Sequence, residues 1–133
     1  MPKRGDSFIV PIGNAQHDWG TYRNPTNRPL IEGEAYFAIP KKYAIEYEIY
    51  NSNNPQVGLG YNEFYVTSSD GFLENEILLA QGCSRAGDAY AKNFAIKGDL
   101  KRLGEWFEYV GATTENSIKV VFTSPTEILL EII

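Results

Sequence analysis

Cysteine and histidine are almost missing from this chain of 133 residues, which holds one of each, Cys83 and His17. One cysteine excludes a disulfide framework, and one of each is too few for a zinc site built on those ligands. A reducing compartment is the simplest expectation. A phosphodiesterase centre of the His-x-Lys kind is absent, because His17 is followed by Asp18 and Trp19. A Cys83/His17 nucleophile pair is the remaining covalent option, yet a lone cysteine is far more often inert or buried. No glycine loop of the phosphate-cradling kind is present. Nor does any apolar run approach the ~18 residues of a membrane span, and Met1 to Asp6 has no apolar signal-peptide core. The expectation is a soluble, cytoplasmic protein that is not an enzyme and has no membrane partner, metal or cofactor. Positive charge is scarce too. A net charge of -5 argues against a generic nucleic-acid binder, whose non-specific affinity comes from neutralising phosphates.

The charge that is present is unevenly placed. Lys3, Arg4, Arg23 and Arg28 face only Asp6 and Asp18 between positions 3 and 31, and Arg85, Lys92, Lys97, Lys101 and Arg102 face only Asp88 and Asp99 between 84 and 102. Between Ile45 and Ala80 lie six acids, Glu46, Glu48, Glu63, Asp70, Glu74 and Glu76, and no base. If the two basic segments meet, the molecule has a basic face and an acidic back; the blander alternative is a mixed solvated surface. Glu63, Asp70, Glu74 and Glu76 are candidates for magnesium ligands or an acid/base pair. Their placement at a turn and on alternate strand positions fits a solvated face better.

One stretch stands out. Asn14 to Gly33 is twenty residues of Asn, Pro, Gly, Arg, Thr and single aromatics with neither helical nor strand period, longer than an ordinary connector in a small domain. It carries Arg23 and Arg28 among Asn14, Gln16, Asn24 and Asn27, together with Trp19 and Tyr22. Such amides and guanidinium groups make paired hydrogen bonds to base edges. A second polar insertion, Gly82 to Asn93, holds Ser84, Arg85, Tyr90, Lys92 and Asn93.

Around these insertions the pattern is mainly β. Ser7 to Gly13 reads as a strand, with Pro11 marking an edge or an end, and Glu34 to Pro40 alternates as a second. One helical turn after Pro40 and a brief extended segment lead to the Asn51 to Pro55 turn cluster. Tyr61 to Thr67 and Phe72 to Gln81 form a hairpin about Ser68 to Gly71, and Phe94 to Ile96 is a short strand. Asp99 is placed to cap a helix, Leu100 to Val110, with Leu103, Trp106, Phe107 and Val110 on one face and Gly111 closing it. Ser117 to Ile133 makes two strands around Ser124 and Pro125. Residues 1–133 are therefore one domain of about seven short strands with one clear helix, a barrel or sandwich.

The ordered set Trp19-Gly20, Arg23, Arg28, Glu34-Ala-Tyr-Phe-Ala-Ile-Pro40, Phe64-Tyr-Val-Thr-Ser-Ser-Asp-Gly71, Ala80-Gln81 and Leu103-Gly-Glu-Trp-Phe107 resembles the C-terminal specificity domain of NgoFVII-type restriction endonucleases. That domain is related to the one in BfiI and to the plant B-three transcription-factor domain. The likeness covers nearly the whole chain, and it is the order of its motifs that carries it. It implies a seven-stranded open DNA-binding pseudobarrel whose two arms grip the major groove of duplex DNA like a wrench. The arms map onto Asn14 to Arg28 and Gln81 to Asn93. No nuclease half is present, so the expected role is a specificity module serving a separate nuclease or effector. Arg23, Arg28 and Arg85 are the expected base readers, assisted at adenines by Gln16, Asn24, Gln81 and Asn93. Lys41, Lys42, Lys92 and Lys97 are the expected phosphate contacts, which position without specifying. The alternative is a barrel that binds protein or carbohydrate and not DNA, including an anti-restriction DNA mimic that uses the acidic back.

Overall fold

The computed structural model describes residues 1–12, 35–52, 55–82 and 89–133. Seven strands, β1 (Ser7–Pro11), β2 (Phe37–Ala38), β3 (Glu63–Ser68), β4 (Glu76–Gln81), β5 (Asn93–Ile96), β6 (Ser117–Ser124) and β7 (Glu127–Ile132), form one mixed sheet in the order β1-β6-β7-β3-β4-β5-β2. It curls into a nearly closed barrel with an unsealed seam between its edge strands β1 and β2. Neighbours pair antiparallel except β3 and β7, which run parallel. Pro11, which has no N–H to give a ladder, is the last residue of an edge strand, where that loss costs least.

Strand alternation puts Phe8 and Val10, Phe64 and Val66, Leu78 and Ala80, Phe94 and Ile96, Ile118, Val120 and Phe122, and Ile128 and Leu130 inside. Phe64 meets Phe94 and Phe122 edge-on at 5.9 and 5.4 Å, an arrangement aromatic quadrupoles favour. That interlock ties opposite walls of the barrel together.

The register sorts every strand end onto one of two rims. Pro11 pairs with Ser117, Ser68 with Leu130, and Leu78 with Ile96, so β1, β3, β5 and β7 end on the rim where β2, β4 and β6 begin. This upper rim is closed by α2 (Arg102–Val110), which buries Leu103, Trp106 and Phe107. The lower rim is closed by α1 (Lys41–Glu46), which follows β2 and stacks Tyr43 on Phe8 of β1 at 5.4 Å. The seam is bridged there, since the Tyr47 hydroxyl donates to the Ser7 carbonyl at 2.9 Å.

Several boundaries differ from the sequence expectation, β2 being only Phe37–Ala38, and two of the differences have a local cause. β4 begins at Glu76 and not at Phe72, because the Ser69 to Asn75 segment is a compact turn. Asp70 Oδ1 takes the Ser68 hydroxyl at 2.7 Å and the Phe72 N–H at 2.9 Å, while Ser68 Oγ takes the Leu73 N–H at 2.9 Å and draws that side chain inside. The helix starts at Arg102, with Lys101 at the N-cap position and no side-chain cap; Asp99 sits two residues earlier, its carboxylate accepting the Lys101 N–H at 3.2 Å in an Asx-type turn. Gly111 does close the helix, in the left-handed conformation (φ 68°) that spares a residue without a Cβ.

Candidate functional site

The insertions leave opposite rims. Ile12 and Ala35, which flank the first, are held to the upper rim by N–H bonds to Asn116 and Leu100 carbonyls at 3.1 and 3.0 Å. Gly82 and Ala89, which flank the second, lie at the lower rim beyond the Gln81↔Asn93 pair. What the two share is the outer face of β4, β5 and β2 that runs between them.

That face is built from small residues and amides. Because inward positions of these strands are Leu78, Ala80, Phe94, Ile96 and Phe37, alternation turns Leu79, Gln81, Asn93, Ala95, Tyr36 and Ala38 outward. The register sets Gln81, Asn93 and Ala38 side by side in one row across three strands. Ala95 and Gly82 leave depth between larger neighbours, producing a recess of about 190 Å³ lined by Tyr36, Gln81, Gly82, Asn93, Ala95 and Leu100. Burial pushes the Tyr36 phenol above its ordinary pKa, so it stays a neutral hydroxyl.

The second insertion is anchored by a residue that the sequence offered only as part of a turn. Asn51 is fully buried. Its Oδ1 accepts the Gly82 N–H at 2.9 Å, and its own backbone N–H donates to the Ala89 carbonyl at 3.1 Å, so one residue ties both flanks of residues 83–88. Tyr90 continues the anchor. Its ring stacks on Tyr50 at 5.4 Å, and the two residues form an isolated β-bridge. Expected as an arm residue, Tyr90 is half-buried in the root of the insertion. Nothing in local sequence marks Asn51, because its partners lie thirty or more positions away.

Among the expected phosphate contacts, Lys41, Lys42 and Lys92 are exposed and share the lower rim, where the Lys92 carbonyl accepts the Ile39 N–H at 2.7 Å just before α1. Lys97 is at the upper end of β5 and its ammonium is ion-paired with Glu63. Arg102, counted in the same basic segment, is held by Glu76 at 3.1 Å. Glu63 and Glu76 of the 45–80 region are thus engaged partners, and Asp70 accepts the Trp106 indole N–H at 2.8 Å. Among the described residues no group of three or more His, Cys, Asp or Glu could hold a metal, and no helix is long and apolar enough to cross a membrane.

No family model, curated protein or solved structure matches the chain. Its site is therefore read from its own geometry. Gln81 and Asn93 stand together on the floor between the insertions. Asn14, Gln16, Trp19, Tyr22, Arg23, Asn24, Arg28, Ser84 and Arg85 lie outside the described residues, as do His17 and Cys83.

Proposed function

We propose that this domain is a sequence-specific double-stranded DNA-binding module of the B-three-like pseudobarrel kind, lending specificity to a nuclease or other effector on a separate chain. The observation that carries the reading is the placement of the insertion roots. Two polar insertions far apart in sequence flank one outer face from opposite rims, and that face presents Gln81 and Asn93 side by side. The four residues of β5 between the rims span roughly 13 Å at the usual strand rise, close to the ~12 Å width of the major groove. Arg23, Arg28 and Arg85 on the insertions read base edges, with Gln16, Asn24, Gln81 and Asn93 supplying amides. Lys41, Lys42 and Lys92 hold the lower strand of phosphates, and Lys97 exchanges its carboxylate partner for one.

Selection of bound duplexes from a random pool, at low and moderate salt, tests this. A recovered motif supports the proposal. Arg23→Ala then relaxes specificity at one base pair, at a cost of ~1 to 3 kcal/mol of discrimination; equal weakening on every sequence would remove Arg23 from the base readers. A second reading draws on the net charge of -5 and on the pairing of Lys97 and Arg102 with carboxylates. It is a barrel that recognises protein or carbohydrate, and a pool yielding no motif at either salt concentration selects it.

A further inference from the structure

Groove-reading side chains must project beyond the protein surface to reach base edges inside a duplex. Gln81 and Asn93 line a concavity together with Tyr36, Ala95 and Leu100, so a base they hydrogen-bond must come to them. We propose that this recess between the insertion roots is a pocket for a single nucleobase swung out of the DNA stack, held against Tyr36 and Leu100 and hydrogen-bonded by the carboxamides of Gln81 and Asn93. The inference rests on the DNA-binding reading and gives that site a different mode of recognition.

The chemistry of the lining selects the ligand. Among the described residues it holds an aromatic ring, an aliphatic side chain and two carboxamides, which suits a flat heterocycle with donors and acceptors on its edge. At about 190 Å³ the recess falls below the ~300 Å³ at which drug-sized pockets begin, so it takes one ring system and not a base pair. Each carboxamide offers a donor and an acceptor, and neither side chain is hydrogen-bonded to another described residue. Its position explains access. The recess opens on the outer face, between the two rims from which the insertions leave, where a duplex held by both would lie.

The test uses the full chain and the duplex recovered by selection. 2-Aminopurine is placed at each position of that duplex in turn, and its fluorescence, quenched while stacked, is read with and without protein. The expected result is enhancement at one position only. A mismatch opposite that position tightens binding by about tenfold or more, because the unpairing cost has already been met. At protein concentrations that saturate the duplex, Asn93→Leu abolishes both the enhancement and the mismatch preference; Gln81→Leu, at the exposed end of β4, provides the same readout should the first variant fold poorly. Tight, selective binding with no position enhanced, or a preference that survives both variants, overturns the pocket and leaves the DNA-binding reading standing. Absence of any duplex binding overturns both.

Discussion

The two ends of the barrel are closed by helices of similar size but different chemistry. At the lower rim the closure is aromatic: Phe8, Tyr43, Tyr47 and Phe122 follow one another at 5.4, 5.6 and 5.9 Å, and Tyr50 lies between Tyr61 and Tyr90. At the upper rim it is polar: Trp106 donates to Asp70, and Arg102 binds Glu76, donates to the Phe72 carbonyl at 3.1 Å and lies 4.2 Å from the centre of the Phe72 ring. Apolar closure ignores pH and salt, whereas closure through a carboxylate does not. The lower rim has the carboxylate of Glu48, but it is exposed, whereas Asp70 holds the fully buried Trp106, so the upper rim, which carries both flanks of the long insertion, should loosen first in acid.

The largest effect is expected from removing the upper plug. Trp106→Ala empties a fully buried site and orphans the Asp70 acceptor, for a loss of about 3 to 5 kcal/mol in denaturant unfolding. Trp106→Phe separates the two contributions by keeping most of the packing and losing the indole N–H. Burial alone would raise the Asp70 pKa, but hydrogen bonds from Trp106, the Phe72 N–H and Ser68 outweigh it and hold the carboxyl below its ordinary value. A depressed folded-state pKa contributes stability that is present above the unfolded pKa, near 3.8, and is lost as pH falls through the folded one. Asp70→Asn and Trp106→Phe should each flatten that acid limb, and together do little more than either alone. Additive effects on the limb would break the contrast between the rims.

Asn51→Ala comes next. It leaves the Gly82 N–H without its acceptor, at a cost of about 1 to 3 kcal/mol, and the loss should be concentrated in faster amide exchange at Gly82 with α2 protected as before. Tyr47→Phe, which removes only the hydroxyl bonded to Ser7 at the lower rim, should cost about 0.5 to 1.5 kcal/mol and show no change in the acid limb.

Much of this architecture was legible in the sequence because it depends on local signals. Apolar runs, alternation and turn signals located the seven strands, Pro11 marked an edge, and the spacing of Leu103, Trp106 and Phe107 with Gly111 behind them defined α2. What escaped was set by contacts between distant segments. Asn51 looks like any turn asparagine until the fold brings Gly82 and Ala89 to it. Tyr36 and Ala95 look like strand filler until the β2–β5–β4 register turns them onto one outer face with Gln81 and Asn93. Charge counting was the weakest guide, because the sum over positions 84 to 102 treats Lys97 and Arg102 as available cations when Glu63 and Glu76 hold them.

The smallest expected effect sharpens the comparison where it bears on function. Lys92 lies at the lower rim and Lys97 at the upper end of the same strand, where Glu63 is in contact with the Lys97 ammonium. Removing an exposed ion pair of this kind changes stability by about 0 to 1 kcal/mol, so both Lys92→Ala and Lys97→Ala should fold as the parent does. On duplex DNA they should differ. Each phosphate contact contributes about 0.9 to the slope of log affinity against log salt, so Lys92→Ala should lower that slope by about one and weaken all sequences alike. Lys97→Ala should lower it by less, because Lys97 must give up Glu63 to meet a phosphate. Glu63→Gln releases the ammonium, and in that background Lys97→Ala should regain the full decrement. Equal decrements for Lys97→Ala in the parent and in the Glu63→Gln background would mean that Glu63 does not restrain Lys97 when DNA is bound, and that a neighbouring carboxylate does not limit what this cation can hold.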